Sequence, residues 1–485
     1  MGSRFLPRIQ DIFFIAIFAA VLLLGQRMLN LDGDLPRHLL MGKYILETKT
    51  VPMTELFIYP YLNRPYVSHE WVANVIFYAT YSFAGLAGIV GLSAFILAAA
   101  FTLLYSNLAM RLHLRIPVLI LVAWGAVATS LNWAARPHLM SMLLLAIWLI
   151  WADTLRRGGK MPLWYFPALM LVWSNVHGEF IAGILVMLAY SAGWLADYFL
   201  DRESIDMNTG RNLWLALGSS VIASLLNPGG AGPWVSLVGF VNNPYLMSRM
   251  VESNAPNFQL PEMRILLALI VFAVFLLAIK KERISAGQGL LLAGFTAMSL
   301  MAFRNIHLYG VVAPFVLAES IGEVRNIRVI NRLETTLHRI ESKITGIGWI
   351  MVSAILLSVF ALTNSAAQKF YQFSPSTFPV QAVEWLEGHP QQGKMFNDLN
   401  WGGYIALHLW PQQLTFVDSV ADVSGEVTMQ YETVITLSVG WQDIFEQHDI
   451  KWVIVPCDSP LAKTLQKEYD WKILYRDETA VILRE

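Results

Sequence analysis

Five short stretches carry nearly all the side chains in the apolar part of this 485-residue chain that could do acid–base or phosphate chemistry. The first, LDGDLPRHLLMGKYI, sets Asp32 and Asp34 two residues apart, with His38 one helical turn beyond Asp34. The others are YVSHEW with His69 and Glu70, ARPH with Arg136 and His138, SNVHGEF with His177 and Glu179, and FRNIH with Arg304, Asn305 and His307. A carboxylate within hydrogen-bond reach of a hydroxyl can take its proton. Asp34 is the candidate base, with Asp32 and Glu70 next. Guanidinium grips phosphate oxygens bidentately, so Arg136, His138, Arg304 and His307 suit a ligand bearing phosphate or pyrophosphate. His38, His69, His177, Glu179 and Asn305 would line the same cavity. Carboxylate oxygens also suit Mg or Mn, which leaves open a divalent ion held by Asp32, Asp34 and Glu70. The HGE triplet is a fragment of zinc-site spacing, but no HExxH accompanies it.

The elements that must position these residues are apolar. The chain is 56% hydrophobic and 14% charged, where soluble proteins carry about 25% charged residues. Runs near the ~20 residues that a spanning helix needs recur from Phe13 to Leu362. The expected class is a polytopic α-helical membrane protein with about eleven transmembrane helices. A net charge of −1 without a basic tail argues against a nucleic-acid partner. The single cysteine, Cys457, rules out an internal disulfide or a cysteine metal cluster. The first apolar run has no small-residue cleavage site and is expected to stay in place as a helix.

Lys and Arg mark cytoplasmic loops. Arg4 and Arg8 put the N-terminus inside. Arg111 and Arg115, Arg156 and Arg157, Arg202 and Arg211, Lys280, Lys281 and Arg283, and the stretch from Arg325 to Lys343 mark later returns. All five polar stretches then fall outside, and only His113 and His338 of the histidines in this region fall inside. Each residue alone could be an interfacial helix cap. Their gathering on one face points instead to one cavity. A helix opening within DLPRH would make Asp34 its N-cap and carry His38 on the same side.

The chain changes character at 369. Segment 1–368, with an outer loop at 29–70, is the membrane module, and 369–485 reads as an extracytoplasmic α/β domain. Strands are expected at KMFND, LTFVD, IKWVIVP and in a terminal hairpin, with helices at FPVQAVEWLEGH, GGYIALHLW and SPLAKTLQKEY. Asp398, Asp418 and Asp422 would be strand-end carboxylates, where α/β sheets often place sites. Trp401-Gly402-Gly403-Tyr404 has a plain account as a tight turn opening a helix.

The combination DGDLPRHLLMGKYIL, HEW, RPH, WSNVHG, RNI and NWGGY, spread over nearly the whole chain, resembles a poorly characterised bacterial branch of the GT-C superfamily of membrane glycosyltransferases. That superfamily includes protein O-mannosyltransferases, aminoarabinose transferases and oligosaccharyltransferases. The resemblance implies sugar transfer, with inversion, from a polyprenyl-phosphate or polyprenyl-pyrophosphate donor to an extracytoplasmic glycan, lipid or protein acceptor. It implies a multi-pass protein of the bacterial cytoplasmic membrane with its N-terminus inside. Oligosaccharyltransferases carry a D-x-x-Y-H element in this loop. Its spacing falls on Asp34 and His38, with Arg37 where the aromatic would be. NDLNWGGY is faintly similar to their WWDYG acceptor element, which makes Trp401 and Tyr404 candidate acceptor contacts. The order Trp-Gly-Gly-Tyr departs from that element. Transfer of a whole glycan, a lipid-linked sugar transporter and a non-enzymatic scaffold are the alternatives. Against a transporter, no repeated halves are visible and the charges gather at one face.

Overall fold

The computed structural model describes residues 6–200, 206–280, 284–344, 348–363, 369–419 and 425–485. Arg4, Arg202, Lys281, Arg283, Ile347 and Asp422 lie outside the described residues.

Every expected apolar stretch is helical among the described residues. The helices are α1 (Ile9–Leu29), α2 (Asp34–Thr48), α3 (Trp71–Leu112), α4 (Ile116–Thr129), α5 (His138–Arg156), α6 (Tyr165–Val176), α7 (Phe180–Phe199) and α8 (Met207–Ala223). There follow α9 (Gly232–Val241), α10 (Pro244–Arg249), α11 (Arg264–Ile279), α12 (Ala286–Met301), α13 (Ile306–Leu317), α14 (Arg328–Glu341) and α15 (Trp349–Thr363). Five segments are long and apolar enough to cross a membrane: α1, α3, α5, α7 and Pro261–Ile279, which contains α11. The others are shorter, so the figure of eleven counted as full spans several helices that fall short of that length. The stretch from Asn227 to Pro261 contains α9 and α10.

At 42 residues, α3 would be roughly 60 Å long if straight, twice a hydrocarbon core. It is broken at Gly85, whose φ of 62° and ψ of −159° leave the helical region. Only glycine adopts that conformation without strain. The first limb therefore turns away while the second runs through the bundle. Helices α1 and α2 pack on α3, and α13 packs between α4 and α12.

The two ends of the bundle differ in chemistry. At the C-terminal ends of α3 and α5, buried Asp153 pairs with Arg111 and, at 2.7 Å each, with Arg156 and Arg157. Glu319, just beyond α13, joins the same cluster. At the opposite ends of α3, α5 and α13 lie the histidines.

The C-terminal region carries one four-stranded sheet, β1 (Lys394–Asn397), β2 (Ile450–Pro456), β3 (Lys472–Arg476) and β4 (Ala480–Arg484), in the order β1-β2-β4-β3. Strands β1 and β2 are parallel, and the β3–β4 hairpin closes the sheet antiparallel. Helices Val380–Gly388, Gly402–Leu409 and Pro460–Glu468 stand where the pattern put them. LTFVD is not a strand of this sheet. Its Thr415 pairs with Ile58 of the outer loop instead, and the backbone N–H of Phe416 bonds the side chain of Asn397 at 2.8 Å. Ile58 and Tyr61 are also in the core beneath β1 and β2, so the outer loop is built into the small domain.

Candidate active site

Helix α2 opens immediately after the acidic loop. Its N-cap is Gly33, not Asp34; Asp34 occupies the first turn and its backbone N–H bonds Asp32 Oδ1 at 3.0 Å. The carboxylates are turned toward Arg136, which sits just before α5. Its Nη2 is 2.7 Å from Asp32, its Nε 3.1 Å from Asp34 and its Nη1 2.8 Å from Glu252. Glu252 stands on the short turn Val251–Ser253. One guanidinium thus faces three carboxylates, and this surplus of negative charge bears on their protons. Burial pushes the Asp34 carboxyl up to about 7; Arg136 and the nearby Ser419 hydroxyl pull it down, and Asp32 and Glu252 add to the rise. A carboxylate that ionises near neutral pH is matched to general-base work.

Two sequence expectations change here. Arg136 is committed to carboxylates in this state rather than to a phosphate. The same guanidinium joins Asp32 and Asp34, the pair that a shared divalent ion would draw on. Glu70 belongs to a different group of side chains, and among the described residues no cluster of three or more His, Cys, Asp or Glu is arranged to hold a metal ion.

Glu70 is the N-cap of α3 and lies among histidines. His177 Nε2 is 3.3 Å from its carboxylate, His38 Nδ1 3.8 Å and His69 Nε2 3.9 Å. Burial alone would raise its carboxyl, but His69, His38, His177 and Arg136 hold it below the usual range. His38 is held by Asn74, whose Oδ1 is 2.8 Å from Nδ1. His177 Nδ1 is 3.0 Å from Ser141 Oγ and 3.4 Å from Glu179, and His307 Nε2 lies 2.8 Å from Glu179. The His138 ring is 5.2 Å from that of His307 and 6.5 Å from that of His177, and its Nε2 faces the carbonyl of Asn132 at 2.8 Å. Arg304 makes no ion pair among the described residues; its guanidinium lies 5.4 Å from the Phe240 ring. Asn305 is spent on structure, donating to the Met298 carbonyl at 3.0 Å where α12 ends.

Asp34, Glu70, His138, Glu179 and His307 each stand at the start of a different helix. The site is therefore where the N-termini of α2, α3, α5, α7 and α13 gather. Unpaired N–H groups and the helix dipoles make such ends favourable for anions. Beside it, an apolar cavity of about 640 Å³ is lined by Trp71, Leu171, Val172, Leu225, Leu226 and Pro228. Trp71 Nε1 donates to Asn175 at 2.7 Å on its rim. Glu252, Ser419, Asn74 and Ser141 carried no motif or spacing that could have marked them.

No protein-family model matches the chain, and no curated protein matches it. Solved structures do. The oligosaccharyltransferase of Archaeoglobus fulgidus in the apo form superposes with a TM-score of 0.55 at 11% identity, over 91% of this chain and 69% of its own. ArnT from Cupriavidus metallidurans, bound to undecaprenyl phosphate, gives 0.54 at 12% identity over 97% of both chains. This chain has the GT-C fold. Archaeoglobus fulgidus AglB in complex with an inhibitory peptide and a dolichol-phosphate shares it at a TM-score of 0.53 and 10% identity.

Within this GT-C fold the NWGGY segment is a wedge rather than a cavity wall. Trp401 and Tyr404 are each 4% exposed. Trp401 donates to the Thr377 carbonyl at 2.8 Å, and Tyr404 packs on Phe373 and Phe378. What the motif supplies is close approach. A Cβ at Gly33 would run into the carbonyl of Asn400, and one at Gly403 would sit 3.0 Å from the Gly33 oxygen and 3.1 Å from Arg37 Cβ. Arg37 completes the joint. It pairs with Glu55 at 2.8 Å and with Asp418 at 3.1 Å, with Phe57 beneath it at 4.2 Å. Arg37 and three backbone N–H groups hold Glu55 below the carboxylate range, against the burial that would raise it. Asp398 caps the turn Leu399–Trp401 and accepts from Tyr431 at 2.9 Å. The GT-C module and the C-terminal domain thus meet directly behind the acidic loop.

Proposed function

We propose that this protein is a membrane glycosyltransferase that moves a sugar from a polyprenyl-phosphate or polyprenyl-pyrophosphate donor to an acceptor hydroxyl outside the cytoplasmic membrane. The observation that carries this is the buried acidic pair on Arg136, set where five helix N-termini gather. The likeness to ArnT with undecaprenyl phosphate and to AglB with dolichol-phosphate supports a lipid-borne donor.

In this scheme Asp34 accepts the proton of the acceptor hydroxyl. The freed oxygen attacks the anomeric carbon as its bond to the phosphate oxygen breaks, which inverts that centre. Negative charge then grows on the leaving phosphate. Arg304, His138, His307 and the helix N-termini receive it, since preorganised donors stabilise charge as it develops. Arg136 keeps the Asp32–Asp34 loop in place and tunes its proton. The prenyl chain would lie in the apolar cavity beside Trp71, which opens next to Glu70. The N-terminus is cytoplasmic and the site faces outward, following the arginines of the opposite end.

The test is transfer of radiolabelled sugar from membrane-extracted polyprenyl-linked donors to envelope acceptors by the purified full chain. Product supports the proposal, and the panel separates single sugars from whole glycans. No transfer with any donor, together with uptake or flipping of a lipid-linked sugar in vesicles, would place the chain among transporters instead.

A further inference from the structure

Helix α14 lies at the end of the bundle opposite the site and has three distinct faces. One is bound into the protein. Buried Glu334 accepts the backbone N–H groups of Arg115 and Ile116 at 2.8 and 2.9 Å, and Glu341 accepts that of Ile9 at 2.9 Å and pairs with Arg115. Both carboxylates are therefore turned inward, capping the starts of α4 and α1.

The second face is apolar and uncovered. Val329, Leu333 and Ile340 recur at the spacing of a single stripe and are 74%, 46% and 50% exposed. At 3.6 residues per turn that stripe stands about a quarter turn from the buried face. The third face, on the far side, carries Arg328, Arg332 and Arg339, with Arg325 just ahead. All four are exposed and none makes an ion pair among the described residues. On α15, the next helix in the chain, Met351, Ile355 and Leu356 are exposed as well. A helix bathed in water has no use for such a stripe. One lying flat at a bilayer surface sinks it among the upper acyl chains and leaves its arginines at the level of the phosphates.

We propose that α14 lies in the plane of the membrane interface and binds anionic phospholipid through Arg325, Arg328, Arg332 and Arg339. The partner is the bilayer surface itself, chosen by charge and by the uncovered apolar stripe. Because Glu334 and Glu341 cap α4 and α1, lipid held there steadies the starts of two helices of the bundle.

The experiment uses the full chain in nanodiscs of phosphatidylcholine with increasing phosphatidylglycerol. The wild type is expected to melt several degrees higher as the anionic lipid is added. The fourfold Arg→Gln variant at 325, 328, 332 and 339 should lose that gain, with the half-effective lipid fraction rising roughly fivefold per arginine removed. The fourfold Arg→Lys variant should keep it, which separates charge from folding. A spin label at Val329→Cys in a Cys457→Ser background should be open to oxygen and shielded from aqueous nickel. Equal stabilisation of wild type and the Gln variant, or a Val329 label as open to nickel as a water-exposed position, would overturn the proposal.

Discussion

Replacing Arg136 by Gln removes the cation that lies 3.1 Å from Asp34, 2.7 Å from Asp32 and 2.8 Å from Glu252. An aspartate beside an arginine ionises about 1–3 pH units lower than without it. The two side chains are 19% and 21% exposed, so water screens part of this interaction and the lower half of that range applies. Starting from about 7, Asp34 in the variant would ionise near roughly 8–9. Its ionised fraction at pH 7 then falls from about one half to between roughly one tenth and one hundredth, a loss of about 5- to 50-fold in a rate that needs the base. The assay is the pH dependence of transfer at saturating donor. The acid limb should move up by one to two pH units, roughly, with the alkaline plateau largely kept. Arg136→Lys, which keeps the charge and loses the fork, should move it less. A limb that stays near 7, or a loss equal at every pH, would refute this account and return Arg136 to the donor phosphate.

Asp34 should also cost stability. Its folded carboxyl is raised from the ordinary 3.8 to about 7, so the folded state holds the proton more tightly and stability falls as pH climbs through that window. Asp34→Asn should therefore melt above wild type at pH 8, by no more than about 4 kcal/mol given the remaining exposure, and match it near pH 4. Gly33→Ala, which drives a methyl into the Asn400 carbonyl, should cost about 1–3 kcal/mol and expose the joint between the two domains to limited proteolysis. Arg304→Gln should lower kcat/KM for donor roughly 10- to 100-fold, the scale of a charge-assisted hydrogen bond, with the loss falling in kcat because Arg304 meets charge that develops on the leaving phosphate, and without moving the acid limb.

Much of this molecule was legible because membranes make polarity expensive. An ionisable side chain beside an apolar run is conspicuous, and Asp34, Glu70, His138, His177, Glu179 and His307 stand out that way. The sheet followed from period-two patterning in IKWVIVP and the terminal hairpin. What escaped depends on partners far away in sequence. Nothing local marks Glu252 as the third carboxylate on Arg136. LTFVD reads as a strand, yet its backbone is taken by the outer loop and by Asn397. NWGGY reads as a site motif through its faint similarity to WWDYG; in the fold Gly403 approaches Gly33 closely, and Trp401 and Tyr404 fill a core. Gly85 breaks a run whose composition alone continues as helix.

In the proposed mechanism Asp34 takes the acceptor's proton. The most direct measurement compares wild type and Asp34→Asn for sugar transfer from polyprenyl-linked donors, with both proteins shown to melt cooperatively and to bind the donor. Asp34→Asn should bind donor within a few-fold of wild type and transfer its sugar at least about 100-fold more slowly, the scale of a lost general base. Transfer by Asp34→Asn at the wild-type rate would contradict it and move the chemistry to Asp32 or Glu70.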